Sequence, residues 1–162
     1  MGEIIKVGMA DLKTCTMPDG LTTLGLGSCV GVVLYDPVTK VSGLLHLMLP
    51  DSTRIKNNQN VAKFADTGIV ELCEQMKKIG AVQSRLVAKI AGGAQMFSFG
   101  NNTNDIVSVG KKNVEATKTI LARMGIKLVA EDTGLNYGRT IIFDSVTGKL
   151  MIRSVGKPDK EI

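Results

Sequence analysis

No tryptophan occurs in this chain, and aromatic residues of all kinds supply only 4% of it. The stacking platforms of single-strand nucleic-acid binders are therefore missing. A basic stripe is missing too. The formal net charge is +5, but lysines and arginines are scattered from Lys6 to Lys160, with only Lys77-Lys78 and Lys111-Lys112 adjacent. That charge suits solubility or attraction to an acidic partner, and nucleic acid is not expected as one. The longest apolar run, Leu24 to Tyr35, is too short and glycine-rich to span a bilayer, and the N-terminal MGEIIKVGMADLK has charges inside its apolar stretch and no signal-peptide core. A cytoplasmic protein without direct membrane insertion is expected. Three cysteines, Cys15, Cys29 and Cys73, form an odd set without a CxxC pair, which argues against a disulfide framework. A zinc site of three cysteines and one histidine would consume all of them without the usual paired spacing. No metal or cofactor is expected. Internal repeats and low-complexity tracts are absent as well, and 162 residues at 44% hydrophobic content suit one domain with a substantial core.

Histidine is nearly missing, and the one present carries the clearest clue. His46 follows Cys29 across the segment LTTLGLGSCVGVVLYDPVTKVSGLLHLMLP, Leu21 to Pro50, in which two β-rich apolar runs flank Asp36-Pro37. Proline presets φ for a turn and aspartate bonds back to the local backbone, so strands are expected over Cys29 to Tyr35 and Lys40 to Met48. With Asp36 to Thr39 as the loop, Tyr35 faces Lys40, cross-strand pairs have numbers summing to 75, and Cys29 faces His46. Opposed residues have Cβ atoms roughly 4.5–5.5 Å apart, within reach of a thiol–imidazole hydrogen bond. A slip of one residue would separate the two side chains onto opposite faces.

A free thiol is mostly protonated at neutral pH and needs a neighbouring cation or base to act as a nucleophile. His46 as imidazolium would stabilise the thiolate and then protonate a leaving group, the division of labour of Cys-His acyl transfer. Gly25, Gly27 and Gly31 permit close backbone approach, and the N–H groups of Ser28 and Cys29 are candidate oxyanion donors. The same residues also suit a buried cysteine, a satisfied core histidine and a bulged strand.

Further along, Asp51 to Asn60 reads as a surface loop bordering the His46 strand. Val61 to Ile79 reads as a helix with Ala65, Ile69, Leu72, Cys73, Met76 and Ile79 on one stripe and Gly80 as its stop. A strand is expected over Arg85 to Ala91, with Met96, Phe97 and Phe99 beyond it as core filling. A second helix spans about Lys111 to Met124, with Val114, Thr117, Ile120, Leu121 and Met124 inward and Gly125 as stop. Strand Ile126 to Glu131 follows, then a hairpin of Arg139 to Asp144 and Lys149 to Val155, and residues 157–162 read as a mobile tail. Because Cys29 to Leu34 is apolar on both faces, helices should cover one side and a second sheet the other, giving an α/β class.

These residues fall into motifs that resemble the CheD family of bacterial chemoreceptor glutamine deamidases. They are TLGLGSCVGV (Thr23 to Val32), HLMLP (His46 to Pro50), FADTGI (Phe64 to Ile69), AKIAGGAQMF (Ala88 to Phe97), VGKKNVEATKTIL (Val109 to Leu121) and AEDTGLNYGR (Ala130 to Arg139). Leu135 departs from the pattern, since a second glycine after DTG is more usual there. The resemblance implies a three-layer α/β/β sandwich, 1–162 as a single domain of the CheD type, Cys29 and His46 as the catalytic pair, and Thr23 as the residue that orients the imidazole. It also implies methyl-accepting chemotaxis proteins as substrates, the CheC phosphatase as a partner, and methylester hydrolysis as a related activity. A non-catalytic module regulating CheC or chemoreceptors is the alternative.

Overall fold

The computed structural model describes residues 1–96 and 109–162. Among the described residues, ten strands form two five-stranded sheets: β1 (Ile4–Lys6), β2 (Asp11–Thr16), β3 (Gly20–Leu26), β4 (Val30–Asp36), β5 (Val41–Leu47), β6 (Val87–Gly92), β7 (Lys127–Thr133), β8 (Arg139–Asp144), β9 (Lys149–Arg153) and β10 (Lys160–Glu161). The central sheet runs β2-β5-β4-β6-β7 and the second β1-β3-β8-β9-β10. Helices α1 (Ala65–Lys78) and α2 (Val109–Arg123) cover the other face of the central sheet. The order of layers is helix, sheet, sheet, in agreement with the expected α/β/β sandwich.

Strand β4 is buried along its whole length, as its unbroken apolar run requires. Val30, Val32 and Leu34 join Leu45, Leu47, Ile69, Leu72 and Met76 in the core beneath the helices. Val33 and Tyr35 point the other way, into the inter-sheet core with Leu21, Leu26, Leu44, Ile141 and Phe143. Gly43 lets α1 approach closely, because a Cβ there would stand 2.6 Å from a Leu72 methyl. Helix α1 carries Asp66 in its first turn and Lys77 and Lys78 in its last, each the sign that the helix dipole favours. Asp66 also accepts hydrogen bonds from the Ser52 N–H and hydroxyl, which anchors the start of the loop over 51–60.

The hairpin register differs from the expected one. Asp36 pairs with Val41 and Gly31 with His46, so pair numbers sum to 77. Lys40 adopts φ 61° and its N–H bonds the Asp36 carbonyl, placing the four-residue loop at Pro37 to Lys40, one position later than expected. Asp36 does bond back, accepting from the N–H groups of Val38 and Thr39, and its buried carboxylate also takes Arg85, which holds it well below the usual carboxylate range. The displacement moves the partner of position 29 from 46 to 48. Because side chains alternate with period two, Cys29 and His46 keep the same face.

Other boundaries agree within a few residues, with differences that have local causes. Ile79 is the exposed C-cap of α1 rather than part of its stripe, and Met96 is exposed rather than core; Phe97 and Phe99 lie outside the described residues. Cys15 is buried in β2 against the Ser42 hydroxyl at 3.2 Å, and Cys73 is buried on α1. The expected mobile tail is paired instead: β10 lies antiparallel to β9, Ile162 exchanges backbone bonds with Leu150, and Lys160 reaches Asp132 at 2.8 Å.

Candidate active site

The two sheets meet at Thr23 and His46. Thr23 stands on β3 and His46 on β5, both essentially inaccessible to solvent, and the Thr23 hydroxyl lies 2.7 Å from His46 Nδ1. That hydroxyl has one proton, and it donates to the Val7 carbonyl at 2.8 Å. A carbonyl only accepts, so the remaining bond must run from the ring to the threonine. His46 therefore carries its proton on Nδ1, and Nε2 keeps its lone pair. Nε2 is buried and has no hydrogen-bond partner among the described residues. An imidazole in this tautomer is a base with its working nitrogen unoccupied.

Cys29 lies just before β4, two residues ahead of Gly31, the partner of His46. The two side chains are thus diagonal neighbours on one face, and Cys29 belongs to the inter-sheet core. Gly31 has no side chain to interpose; Leu26 and Ile141 of the second sheet fill the space over it. Burial pushes the Cys29 thiol up, opposed by its own backbone N–H, and burial pulls the His46 imidazole down. Both shifts favour the uncharged forms. Both directions run against the imidazolium–thiolate form of the pair.

The loop from Gly27 to Cys29 is held by its carbonyls. Gly27 accepts from the Ala94 N–H and Cys29 from the Gly93 N–H, each at 2.8 Å. Ser28 accepts from the Asn113 side chain at 2.9 Å. These ties explain the glycines at 92, 93 and 110. A Cβ at Gly92 would fall 2.4 Å from the Cys29 carbonyl, and one at Gly110 would fall 2.4 Å from the Ala94 carbonyl, so the start of α2 rests directly on this backbone. Gly92 and Gly93 also take φ values of 102° and 65°, which favour glycine. Ser28 itself is half-buried, and the structure brings its carbonyl, rather than its hydroxyl, into the network.

Sequence reading missed Asn113, the Val7 carbonyl and the backbone of Gly93 and Ala94. Only Asn113 left a signal: it stands four residues before Thr117, on the buried side of α2, where an apolar residue would be ordinary. The loop over 51–60 borders a groove of about 450 Å³ that α2 completes, lined by Leu49, Pro50, Ile55, Lys112 and Ala116. No group of three or more potential metal-binding side chains occurs among the described residues, and no described helix is long and apolar enough to cross a membrane.

Comparison with known proteins identifies the family. A family model described as CheD chemotactic sensory transduction matches residues 48–154. That match begins after Thr23, Cys29 and His46, but full-length relatives span all three. The probable chemoreceptor glutamine deamidase CheD of Lachnoclostridium phytofermentans is 64% identical over 100% of both chains. Its counterpart from Caldanaerobacter subterraneus subsp. tengcongensis is 56% identical over 99% of this chain and 98% of its own. The chemoreceptor glutamine deamidase CheD of Halalkalibacterium halodurans is 52% identical, again over 100% of both. With a family model covering more than half of its length and relatives of this identity aligned from end to end, the chain belongs to the CheD family.

Proposed function

We propose that this protein is a chemoreceptor glutamine deamidase, with Cys29 as nucleophile, His46 as general base and acid, and Thr23 as the residue that orients the ring. The observation that carries this reading is the unoccupied Nε2 of a histidine whose Nδ1 proton is committed to Thr23, on the face that also holds Cys29. The names of its full-length relatives support the substrate class.

The reaction begins when the thiol proton passes to His46 Nε2 as sulfur bonds to the side-chain amide carbon of a substrate glutamine. The carbonyl electrons move onto oxygen, where backbone N–H groups of the Cys29 loop can stabilise the charge. Collapse of the tetrahedral adduct breaks the C–N bond, and Nε2 returns its proton to the departing ammonia. The thioester is then attacked by water, whose proton Nε2 takes; a second collapse expels sulfur, which recovers that proton. One glutamine and one water become one glutamate and one ammonia. A neutral starting pair suits this sequence because Nε2 is already free to accept.

A methylester would react by the same route with an alkoxide leaving group. The reading places the protein in the cytoplasm, where it would act on the cytoplasmic part of methyl-accepting chemotaxis proteins, and includes the CheC phosphatase as a binding partner. The decisive assay incubates the protein with a receptor cytoplasmic fragment and follows glutamine-to-glutamate conversion by peptide mass with ammonia release. Turnover by the wild type and none by Cys29→Ala or His46→Ala is the expected result. Binding of receptor or CheC retained in all three proteins, with conversion in none, would instead make the chain a regulatory binding module.

A further inference from the structure

Asn113 is fully buried on α2, yet it neither packs as an apolar side chain nor satisfies all of its own polar groups. Its Nδ2 donates to the carbonyls of Ser28 at 2.9 Å and Met48 at 3.0 Å, while its Oδ1 has no hydrogen-bond partner among the described residues. The amide orientation follows from the partners, since two carbonyls can be served only by the NH2 group. A leucine would fill the same volume without leaving a buried acceptor unpaired. What leucine cannot do is hold two peptide groups.

Those two peptides flank the reacting pair. The Ser28 carbonyl and the Cys29 N–H belong to one planar trans peptide and point in opposite directions. Drawing that carbonyl toward α2 turns the Cys29 N–H away from the helix, and this N–H belongs to the same residue as the Cys29 sulfur. An oxyanion formed by attack of that sulfur arises next to it. The Met48 carbonyl, two residues beyond His46, is gripped by the same NH2, so one side chain ties the nucleophile's amide to the end of the strand that carries the base. A hydrogen bond at the carbonyl also polarises the peptide and strengthens its N–H as a donor.

We infer that Asn113 is a positioning residue that aims the Cys29 N–H as the principal oxyanion donor, a role the loop backbone alone leaves open between Ser28 and Cys29. Asn113 touches neither substrate nor sulfur and acts through the Ser28–Cys29 peptide. This inference rests on the deamidase reading.

The test compares wild type with Asn113→Leu, Asn113→Ser and Thr117→Val as full-length proteins. Thr117 serves as the packing control, because its buried hydroxyl donates to the Asn113 carbonyl one turn along the same helix. Two rates are read: turnover on a receptor fragment, resolved into kcat and KM, and alkylation of Cys29 by chloroacetamide. Displacement of chloride builds no charge on a carbonyl oxygen, so alkylation needs the thiol and its base but not the oxyanion donor. Both Asn113 variants are expected to lose roughly 10- to 100-fold in kcat, with KM and alkylation rate unchanged. Thr117→Val should keep kcat while melting at lower temperature. If the leucine variant does not fold, the smaller serine variant decides the matter. Undiminished kcat in an Asn113 variant overturns the inference, and so does a parallel loss of turnover and alkylation, which would make Asn113 a support for the loop as a whole. Absence of turnover in the wild type removes the deamidase reading and this inference together, whereas wild-type turnover with fully active Asn113 variants removes this inference alone.

Discussion

Thr23 and His46 join the two sheets through a 2.7 Å hydrogen bond in which the ring is the donor, because the threonine proton is already given to Val7. Thr23→Val keeps the shape and removes the acceptor. It strands a buried ring N–H and a buried carbonyl, and it releases the tautomer that leaves Nε2 basic. The expected outcome is a loss of about 1–3 kcal/mol in stability and a fall of at least ~10-fold in kcat, whereas Thr23→Ser keeps most of both. Urea melts beside deamidation kinetics check this, and a valine variant as active as wild type would deny Thr23 any part in orienting the ring.

His46 should make stability depend on pH in a window of its own. Burial lowers its pKa in the folded protein, so the unfolded chain takes up a proton near pH 6.5 that the folded protein takes up only at lower pH. Within that interval the unfolded state binds more protons, and stability rises with pH; equivalently, it declines as pH drops below about 6.5. No second histidine competes. Urea midpoints between pH 7.5 and 5 should fall for wild type and stay level for His46→Gln. Equal slopes in the two proteins would show that another group governs this range.

Leu135 is held at φ 60°, a left-handed conformation that favours glycine. A side chain there costs about 1–2 kcal/mol, partly offset in a glycine variant by greater freedom of the unfolded chain, about 0.5–1 kcal/mol. Leu135→Gly is accordingly expected to raise stability by up to about 1 kcal/mol, read as a higher urea midpoint at unchanged m-value. A lower midpoint would mean that the exposed isobutyl group makes contacts worth more than the backbone strain.

Much of this architecture is written in local periodicity, and the misses share physical causes. The β4–β5 hairpin, both helices and the β8–β9 hairpin carry strong apolar patterns bounded by turn residues, and their positions follow within a few residues. The exact register did not, because a lysine at φ 61° is not legible as a turn residue; the error was even in number, so the face assignment of Cys29 and His46 survived it. Strands β1 and β2 were invisible because β1 is only three residues, IIK, and β2, DLKTCT, is mostly polar; both are partly exposed, being held by backbone pairing and by the long-range contacts of Val7 and Cys15. Asn113 escaped because a stripe is recognised by its apolar members, and a buried amide serving backbone carbonyls breaks that rule. The shifts of the Cys29 thiol and the His46 imidazole come from burial between the sheets, which no spacing in the sequence records.

The carbonyl ties of the Cys29 loop also bear on how the molecule becomes competent. Val7, Thr23, the 27–29 loop, His46, Gly93 with Ala94, and Asn113 come from separate stretches of chain, and no fragment shorter than residues 7–113 contains them all. Closing such distant contacts is the slow, entropically costly part of folding. The β4–β5 hairpin alone can bring the thiol and the imidazole to one face, but the tautomer waits for the second sheet and the loop waits for α2. Recovery of turnover during refolding is therefore a report on completed assembly of all three layers, and a collapsed intermediate with native-like strands would still be catalytically silent.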